Sequence, residues 1–155
     1  MSSGATRSKV LPATVLDLLD VLPLRTADHE EMVAQGRDPF DALHDSYLAS
    51  KPHVFTIFVD GKPAGIFGAG KGREEGLGVP WMLGNDTLLT IPRDLVREGR
   101  IWINYLNAIY PRLENYVDAR NYVSIRWLKA MGFDFPGEYA TLASGHIFRR
   151  FTRHV

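Results

Sequence analysis

The segment that most restricts the fold runs from residue 112 to residue 139, RLENYVDARNYVSIRWLKAMGFDFPGEY. Its first part has the composition of a β-strand, a segment of helical period follows, and an extended segment begins after Gly132 and Phe133. Almost nothing separates these elements, so the strand, the helix and the next strand have to pack directly on one another. Tight alternation of strand and helix is typical of an α/β domain.

Asn121 lies where the helix of this segment begins. An Asn at that position caps the helix by accepting a hydrogen bond from a backbone N–H two or three residues later, which stabilises it by about 1 kcal/mol. A helix start directly after a strand also offers free N–H groups to an anion or an amide-rich ligand. Both roles are open for Asn121, and they are compatible.

Short helices are predicted for the N-terminal third of the chain. Thr14 and Thr26 are predicted N-caps, and Asp38 followed by Pro39 predicts a third helix start. A β-rich segment begins near His53 and leads into an Asp-Gly hairpin signal.

The second half of the chain predicts further strands around one long helix. That helix runs between Pro92 and Pro111, and strands are predicted on either side of it, at residues 79–83 and 113–117. Pro80 lies within the first of these strands, so we expect that strand to be an edge strand or to contain a bulge. The order of elements predicts an α/β fold with mixed strand directions and helices on both faces of the sheet.

Composition restricts the class of protein. The 155 residues predict one domain over residues 10–155, after a flexible N-terminus at residues 1–9. Lys plus Arg and Asp plus Glu both number 18, and this neutral balance argues against nucleic acid as a partner. No apolar run approaches the roughly 18 residues of a membrane span, so we expect no membrane insertion. The first residues lack an apolar segment and do not predict a signal peptide.

Several catalytic motifs are absent or incomplete. The chain has no Cys, which excludes thiolate nucleophiles and thiolate metal sites. Residues 65–71, GIFGAGK, fit a phosphate-binding GxxxxGK, but Gly72 replaces the Ser or Thr that would hold magnesium. We interpret the glycine-rich segment that overlaps this motif, residues 68–78, as a hairpin connection. The five histidines include no pair four residues apart on one helix, so we predict no metal site.

The segment ARNYVSIRWLKAMGF, together with the order of elements, resembles the GNAT superfamily of acyl-CoA-dependent N-acyltransferases. The superfamily's helix pattern is Asn, a small residue three positions on, an apolar one four on, and Gly-Phe eleven and twelve on. Asn121, Ser124, Ile125, Gly132 and Phe133 match it in order. The resemblance covers roughly residues 10–150, is specific from 112 to 139, and is closest to phage-encoded acyltransferase-like proteins, including internal virion protein A of short-tailed coliphages.

The resemblance implies a mixed, largely antiparallel central sheet with helices on both faces. In the superfamily two neighbouring strands, here residues 79–83 and 113–117, splay apart around the pantetheine arm of the cofactor. Acetyl-CoA or another acyl-CoA is the implied cofactor, without a metal. Implied contacts come from Asn121 and Ser124, from Leu83 on the strand whose backbone N–H meets the acyl carbonyl, and from Arg93 near the diphosphate.

Two features depart from the superfamily pattern. Its diphosphate loop has the form Arg/Gln-x-x-Gly-x-Gly/Ala, whereas the sequence here is LGNDTLLTIPRDL, in which Asp86 and Asp94 add negative charge. A Tyr seven residues after the Asn often acts as general acid, and that position is Leu128. The candidate carboxylates for a general base are those of Glu74, Glu75, Glu114 and Asp118, and none of them stands out.

The resemblance supports two main hypotheses. The first is an N-acyltransferase that moves an acyl group from acyl-CoA to an amine. The second is a catalytically inactive phage protein of the same fold, which acts in virion structure or assembly with other virion proteins. The implied location is the host cytoplasm or the phage virion. A third hypothesis is a module that binds a partner through its N-terminal helices. An open cleft between the two splayed strands would favour the enzyme, and a cleft filled by Trp81 or Tyr116 would favour a structural role.

Overall fold

Seven strands form one sheet in the computed structural model, which describes residues 7–155. The strands are β1 (Ser8–Pro12), β2 (Val54–Val59), β3 (Lys62–Lys71), β4 (Leu77–Gly84), β5 (Arg112–Asp118), β6 (Tyr139–Thr141) and β7 (Ile147–His154). Their order across the sheet is β1-β2-β3-β4-β5-β7-β6. Neighbouring strands run antiparallel except β4 and β5, which are parallel. The predicted mixed, largely antiparallel sheet is confirmed.

Helices cover both faces of this sheet, as predicted. They are α1 (Val15–Asp20), α2 (Thr26–Ala34), α3 (Pro39–Ser50), α4 (Pro92–Ile109) and α5 (Tyr122–Ala130), with a 3-10 helix at Asp86–Thr90. The first three helices bury Leu18 and Leu43 against Ile66 of β3. The last two bury Ile103 and Ile125 in a separate core on the opposite face. Apolar residues on both faces of the central strands are what allow two cores to form.

The helix starts follow the predicted caps at two of three places. Thr14 caps α1, and Asp38 caps α3 with Pro39 as its first residue. The prediction that Thr26 caps α2 was wrong, because Thr26 is already helical and the cap position belongs to Arg25. The Arg25 N–H donates to the carbonyl of Gly84 at 2.8 Å, so a tertiary contact sets this helix start.

The first strand begins inside the segment predicted to be a flexible N-terminus. Ser8 and Lys9 pair with Val59 and Phe58 of β2, because the edge of β2 offers them a ladder of hydrogen bonds. Residues 1–6 of the predicted flexible segment lie outside the described residues. That residues 10–155 act as a single domain stays a prediction.

Of the two alternatives predicted for the strand that contains Pro80, an edge strand or a bulge, the structure matches a local edge. Strands β3 and β4 form a hairpin in unbroken register from Gly65 opposite Gly84 to Lys71 opposite Gly78, so the predicted bulge is absent. Strand β4 lies inside the sheet, but β5 pairs only with its first two residues. Pro80 lies beyond that paired part, where its missing N–H costs no ladder hydrogen bond.

Candidate active site

The gap between β4 and β5 is the main opening in the sheet. The two parallel strands pair only through Leu77 with Arg112 and Gly78 with Leu113. The closed end is tightly packed, because a Cβ at Gly78 would lie 2.5 Å from the ring of Tyr110. Toward their carboxyl ends the strands separate.

Asn115 of β5 bridges the gap where the main-chain pairing stops. Its Nδ2 donates to the carbonyl of Pro80 at 2.7 Å, and its Oδ1 accepts from the N–H of Tyr116 at 2.8 Å. A side chain therefore stands where main-chain hydrogen bonds would otherwise join the strands. Because a side chain takes the place of main-chain hydrogen bonds here, β4 and β5 lie further apart than where they pair directly.

A cavity of about 360 Å³ occupies the gap and reaches both faces of the sheet. Pro80 and Met82 of β4 and Asn115 of β5 lie in its wall. On one face it is lined by residues of α2 and α3, and on the other by residues of α4 and α5; these include Glu31, Gln35, Ser46, Asp94, Glu98, Trp102, Ser124, Trp127 and Leu128. Two molecules could therefore meet at the gap from opposite sides of the sheet.

Neither aromatic side chain considered as a plug closes the gap. Trp81 lies in the wall of the cavity, but its Nε1–H donates to Oγ of Ser50 in α3 at 2.7 Å, which directs the indole to the helix. Tyr116 also borders the cavity and is exposed. The cleft is open, as expected for the enzyme hypothesis.

The peptide groups of β4 identify the backbone donor that faces the gap. The carbonyl of Pro80 points to β5, and the N–H of Gly84 points the same way, donating to Oδ2 of Asp28 at 3.0 Å. Because peptide groups alternate along a strand, those of Met82 also face the gap. Leu83 lines the cavity and is paired with Ile66, so its N–H is directed to β3. The contact implied for Leu83 stays a prediction, and the geometry favours Met82, which the sequence did not single out.

A buried ion pair on α2 holds the open end of the gap. The guanidinium of Arg25 contacts the carboxylate of Asp28 at 2.7 Å, and both side chains are 5% exposed. Arg25 also donates to Oγ of Ser124 in α5 at 2.9 Å and lies over the ring of Trp127. Since Asp28 accepts from Gly84, the pair connects β4, α2 and α5.

Glu31, one turn further along α2, connects the same helix to β5. Its Oε1 accepts from the N–H of Asp118 at 2.9 Å and lies 3.5 Å from Nδ2 of Asn121. Both contacts use the same oxygen, which leaves Oε2 for other partners. The side chain also lines the cavity. Sequence reasoning missed Glu31, because its partners are about 90 residues away in the chain.

The carboxylates around Glu31 differ in their affinity for protons. Burial raises the pKa of Glu31 to about 7, and the negative charge of Asp28 adds to this rise, although the hydrogen bond from Asp118 opposes it. Burial also disfavours the charge on Asp118, but hydrogen bonds from Arg120 outweigh it and hold the pKa of Asp118 below its ordinary value. Glu31 therefore exchanges a proton near neutral pH while Asp118 stays ionised.

The start of α5 is built as predicted. Asn121 caps the helix by accepting from the N–H of Ser124 at 3.3 Å. Asn121 is buried and borders a small separate pocket with Glu30 and Arg120, whereas Ser124 lines the main cavity. Cofactor contacts from these two residues stay predictions.

The start of α4 lacks the features of an anion site. The 3-10 helix connects β4 to α4, and Pro92, the first residue of α4, has no N–H to donate. Asp94 and Glu98 line the cavity beside it, and Asp94 pairs with Arg97 at 2.6 Å. Arg93 is exposed and does not line the cavity. Its predicted contact with a diphosphate stays a prediction.

None of the helices within residues 7–155 is long and apolar enough to cross a bilayer. In the same part of the chain, no three His, Asp or Glu side chains are grouped as metal ligands would be.

Solved structures of acetyltransferases share this fold. A GNAT-family acetyltransferase from Bacillus anthracis superposes with a TM-score of 0.69 and 13% identity, over 97% of this chain and 96% of that one. A GNAT-family acetyltransferase from Streptococcus pneumoniae gives a TM-score of 0.62 and 15% identity, over 96% and 99%. AAC(6')-Ib, in complex with paromomycin and acetyl-CoA, gives a TM-score of 0.66 and 18% identity, over 95% and 93%.

These likenesses show that the chain has the GNAT fold. At such identities they show the fold alone, since one fold hosts many functions. No protein-family model matches the sequence, and no curated protein matches it. The resemblance to phage proteins and to internal virion protein A is not shown by these structures and stays a prediction.

Proposed function

We propose that the protein is an N-acyltransferase that moves an acyl group from acyl-CoA to an amine. The observation that carries this proposal is the cavity between β4 and β5, which is lined from both faces of the sheet. A thioester can enter from the side of α4 and α5, and an amine from the side of α2 and α3. Holding two reactants together in this way supplies much of the rate of a bimolecular transfer.

Met82 is the proposed donor to the thioester carbonyl. The carbonyl oxygen gains negative charge as the amine attacks, and a fixed backbone N–H stabilises that charge. The peptides two residues on either side are held by Asn115 and by Asp28. The Met82 N–H is therefore held in place before the reaction begins.

The pantetheine arm is proposed to lie between the separated strands. Trp102 and Leu128 supply apolar walls there, and Ser124 supplies a hydroxyl. Because the oxygen of Ser124 accepts from Arg25, its own O–H remains available to an amide carbonyl of the arm. Asn121 is proposed as a support of this helix start and Arg93 as an outer contact for phosphate.

One observation favours the alternative, a non-catalytic protein of the same fold. Asp94 and Glu98 place negative charge at the side of the cavity where a diphosphate would approach α4. Coulomb repulsion there would weaken the binding of CoA. A role in virion structure or assembly belongs with this alternative, whereas a phage origin is compatible with both proposals.

Calorimetric titration with acetyl-CoA and with free CoA tests the proposal. We expect micromolar binding that weakens in an Asn121→Ala variant. Asn104→Ala is the matched control, since it makes the same change on the exposed side of α4. A ligand at 100 times its Kd raises stability by about 2.7 kcal/mol. No heat, together with no rise in melting temperature at millimolar acetyl-CoA, would overturn the acyltransferase and leave the non-catalytic alternative.

A further inference from the structure

We propose that Glu31 is the general base that deprotonates the acceptor amine, and that the amine reaches it from the face covered by α2 and α3. This inference rests on the proposed acyl transfer and adds to it the base and the side of approach. Glu31 lines the cavity together with Gln35, which directly follows α2, and Ser46 of α3. Met82, the proposed donor to the thioester, lies in the same cavity.

Within residues 7–155, the neighbours that fix the position of the Glu31 carboxylate contact only one of its two oxygens. The N–H of Asp118 and the amide of Asn121 both lie against Oε1. Oε2 is therefore the proposed proton acceptor. An anchored side chain of this kind is what a base requires, because a proton is transferred only over hydrogen-bond distance.

Helix α2 holds Glu31 in place from both sides of the gap. The Arg25–Asp28 pair ties the start of the helix to Gly84 at the end of β4. Glu31 itself ties the helix to Asp118 at the end of β5. Helix α2, which carries the proposed base, is therefore tied to both of the strands between which the thioester is proposed to lie.

The charges around Glu31 suit a cationic amine. Asp28 on its own helix and Asp118 at the end of β5 are the acidic groups that act on it, and Arg120 is the basic one. His146 acts on Asp118 rather than on Glu31 directly. Because burial brings the pKa of Glu31 to about 7, it exchanges protons readily at neutral pH.

The proposed step conserves atoms and charge. Glu31 takes one proton from the ammonium group R–NH3⁺, and the resulting amine nitrogen attacks the thioester carbonyl carbon. A C–N bond forms, the C–S bond breaks, and the proton that the nitrogen then loses ends on the departing sulfur. Glu31 returns its proton to water, so the products are an amide, free CoA thiol and one proton.

The test measures CoA thiol released from acetyl-CoA by a polyamine, an aminoglycoside and a peptide with a free α-amine. The chain has no Cys, so a thiol reagent has no background from the protein. Glu31→Gln keeps the size and the anchoring acceptor but cannot take the proton. Glu30→Gln makes the same change at an exposed neighbour and is the matched control.

We expect Glu31→Gln to lower kcat by about 10²–10⁴-fold, with the Kd for acetyl-CoA unchanged. The wild type and Glu30→Gln should lose activity below an apparent pKa near 7, the value raised by burial of Glu31, and this limb should be absent from Glu31→Gln. Partial activity in Glu31→Asp would support a base at this position. Melting curves verify that each variant is folded.

The opposing results separate the two proposals. Equal turnover and equal pH profiles in Glu31→Gln and the wild type would overturn the role of Glu31 and keep the acyltransferase. Failure of the wild type to bind acetyl-CoA would overturn the acyltransferase itself. If the wild type bound acetyl-CoA but released no thiol with all three amines, both the acyltransferase and the role of Glu31 would be overturned.

Discussion

Replacing Asp28 by Asn should strongly destabilise the fold, because it leaves the charge of Arg25 buried without a partner. Asp28 accepts from Nε of Arg25 at 3.2 Å, from its NH2 group at 2.7 Å, and from the N–H of Gly84 at 3.0 Å. Breaking one side of a buried pair of this kind costs about 3–5 kcal/mol. For a chain of 155 residues, that loss corresponds to a fall in Tm of about 6–20 °C.

The assay is urea unfolding together with calorimetric melting of the wild type and three variants. Arg97→Ala is the control, since the Arg97 side chain is 61% exposed in its pair with Asp94, and such surface pairs contribute at most about 1 kcal/mol. The third variant, Arg25→Met with Asp28→Leu, removes both charges and should recover most of the loss.

Two results would refute this reasoning. If Asp28→Asn lost no more free energy of unfolding than Arg97→Ala, the pair would not hold α2 to β4. If the variant without either charge were as unstable as Asp28→Asn, the loss would come from packing rather than from an unpaired charge.

Three further predictions concern the start of α4, the carboxylate of Glu31 and the close packing at Gly84. S-Acetyl-pantetheine should bind within about tenfold of acetyl-CoA, about 1.4 kcal/mol, because the start of α4 offers the diphosphate no cradle; a far weaker Kd by calorimetry would contradict this. Because the pKa of Glu31 is raised to about 7, the folded state binds the proton of Glu31 more tightly than the unfolded state does. The free energy of unfolding should therefore be highest at low pH and should fall as the pH rises from about 4.5 to about 7. In urea unfolding, the free energy of unfolding of Glu31→Gln relative to that of the wild type should therefore increase by roughly 3 kcal/mol from pH 4 to pH 8. A difference between the two proteins that does not change with pH would argue against the raised pKa. Gly84→Ala should cost about 1–3 kcal/mol in the same assay, because the added Cβ would overlap Leu88 and lie 2.7 Å from the carbonyl of Ala64; unchanged stability would show that β4 can move away.

Much of the fold could be predicted because its signals are local. Thr14 and Asp38 cap their helices through backbone N–H groups three residues away, and the Asp60-Gly61 turn joins adjacent strands. Asn121 caps α5 in the same local way. Such features depend on a few consecutive residues, so the sequence alone is sufficient to identify them.

The prediction that was wrong, and the one that was left open, both depended on partners far away in the chain. Thr26 is of a residue type that often caps helices, but the start of α2 is set by the contact of Arg25 with Gly84. Pro80 predicted either an edge strand or a bulge, and only the separation of β5 from β4 decided for the local edge. Nothing in the neighbouring residues indicates either outcome.

The candidate site divides along the same line. The sequence by itself determined the α/β class, the strand–helix–strand unit around Asn121, and the lack of the Gly-x-Gly/Ala pattern before α4. Only the tertiary structure decided that Met82 faces the gap and that Glu31, half-buried and hydrogen-bonded to Asp118, has its pKa raised to about 7. The physical reason is that backbone propensity acts over a few residues, whereas burial and charge interactions depend on groups that the folded chain brings together.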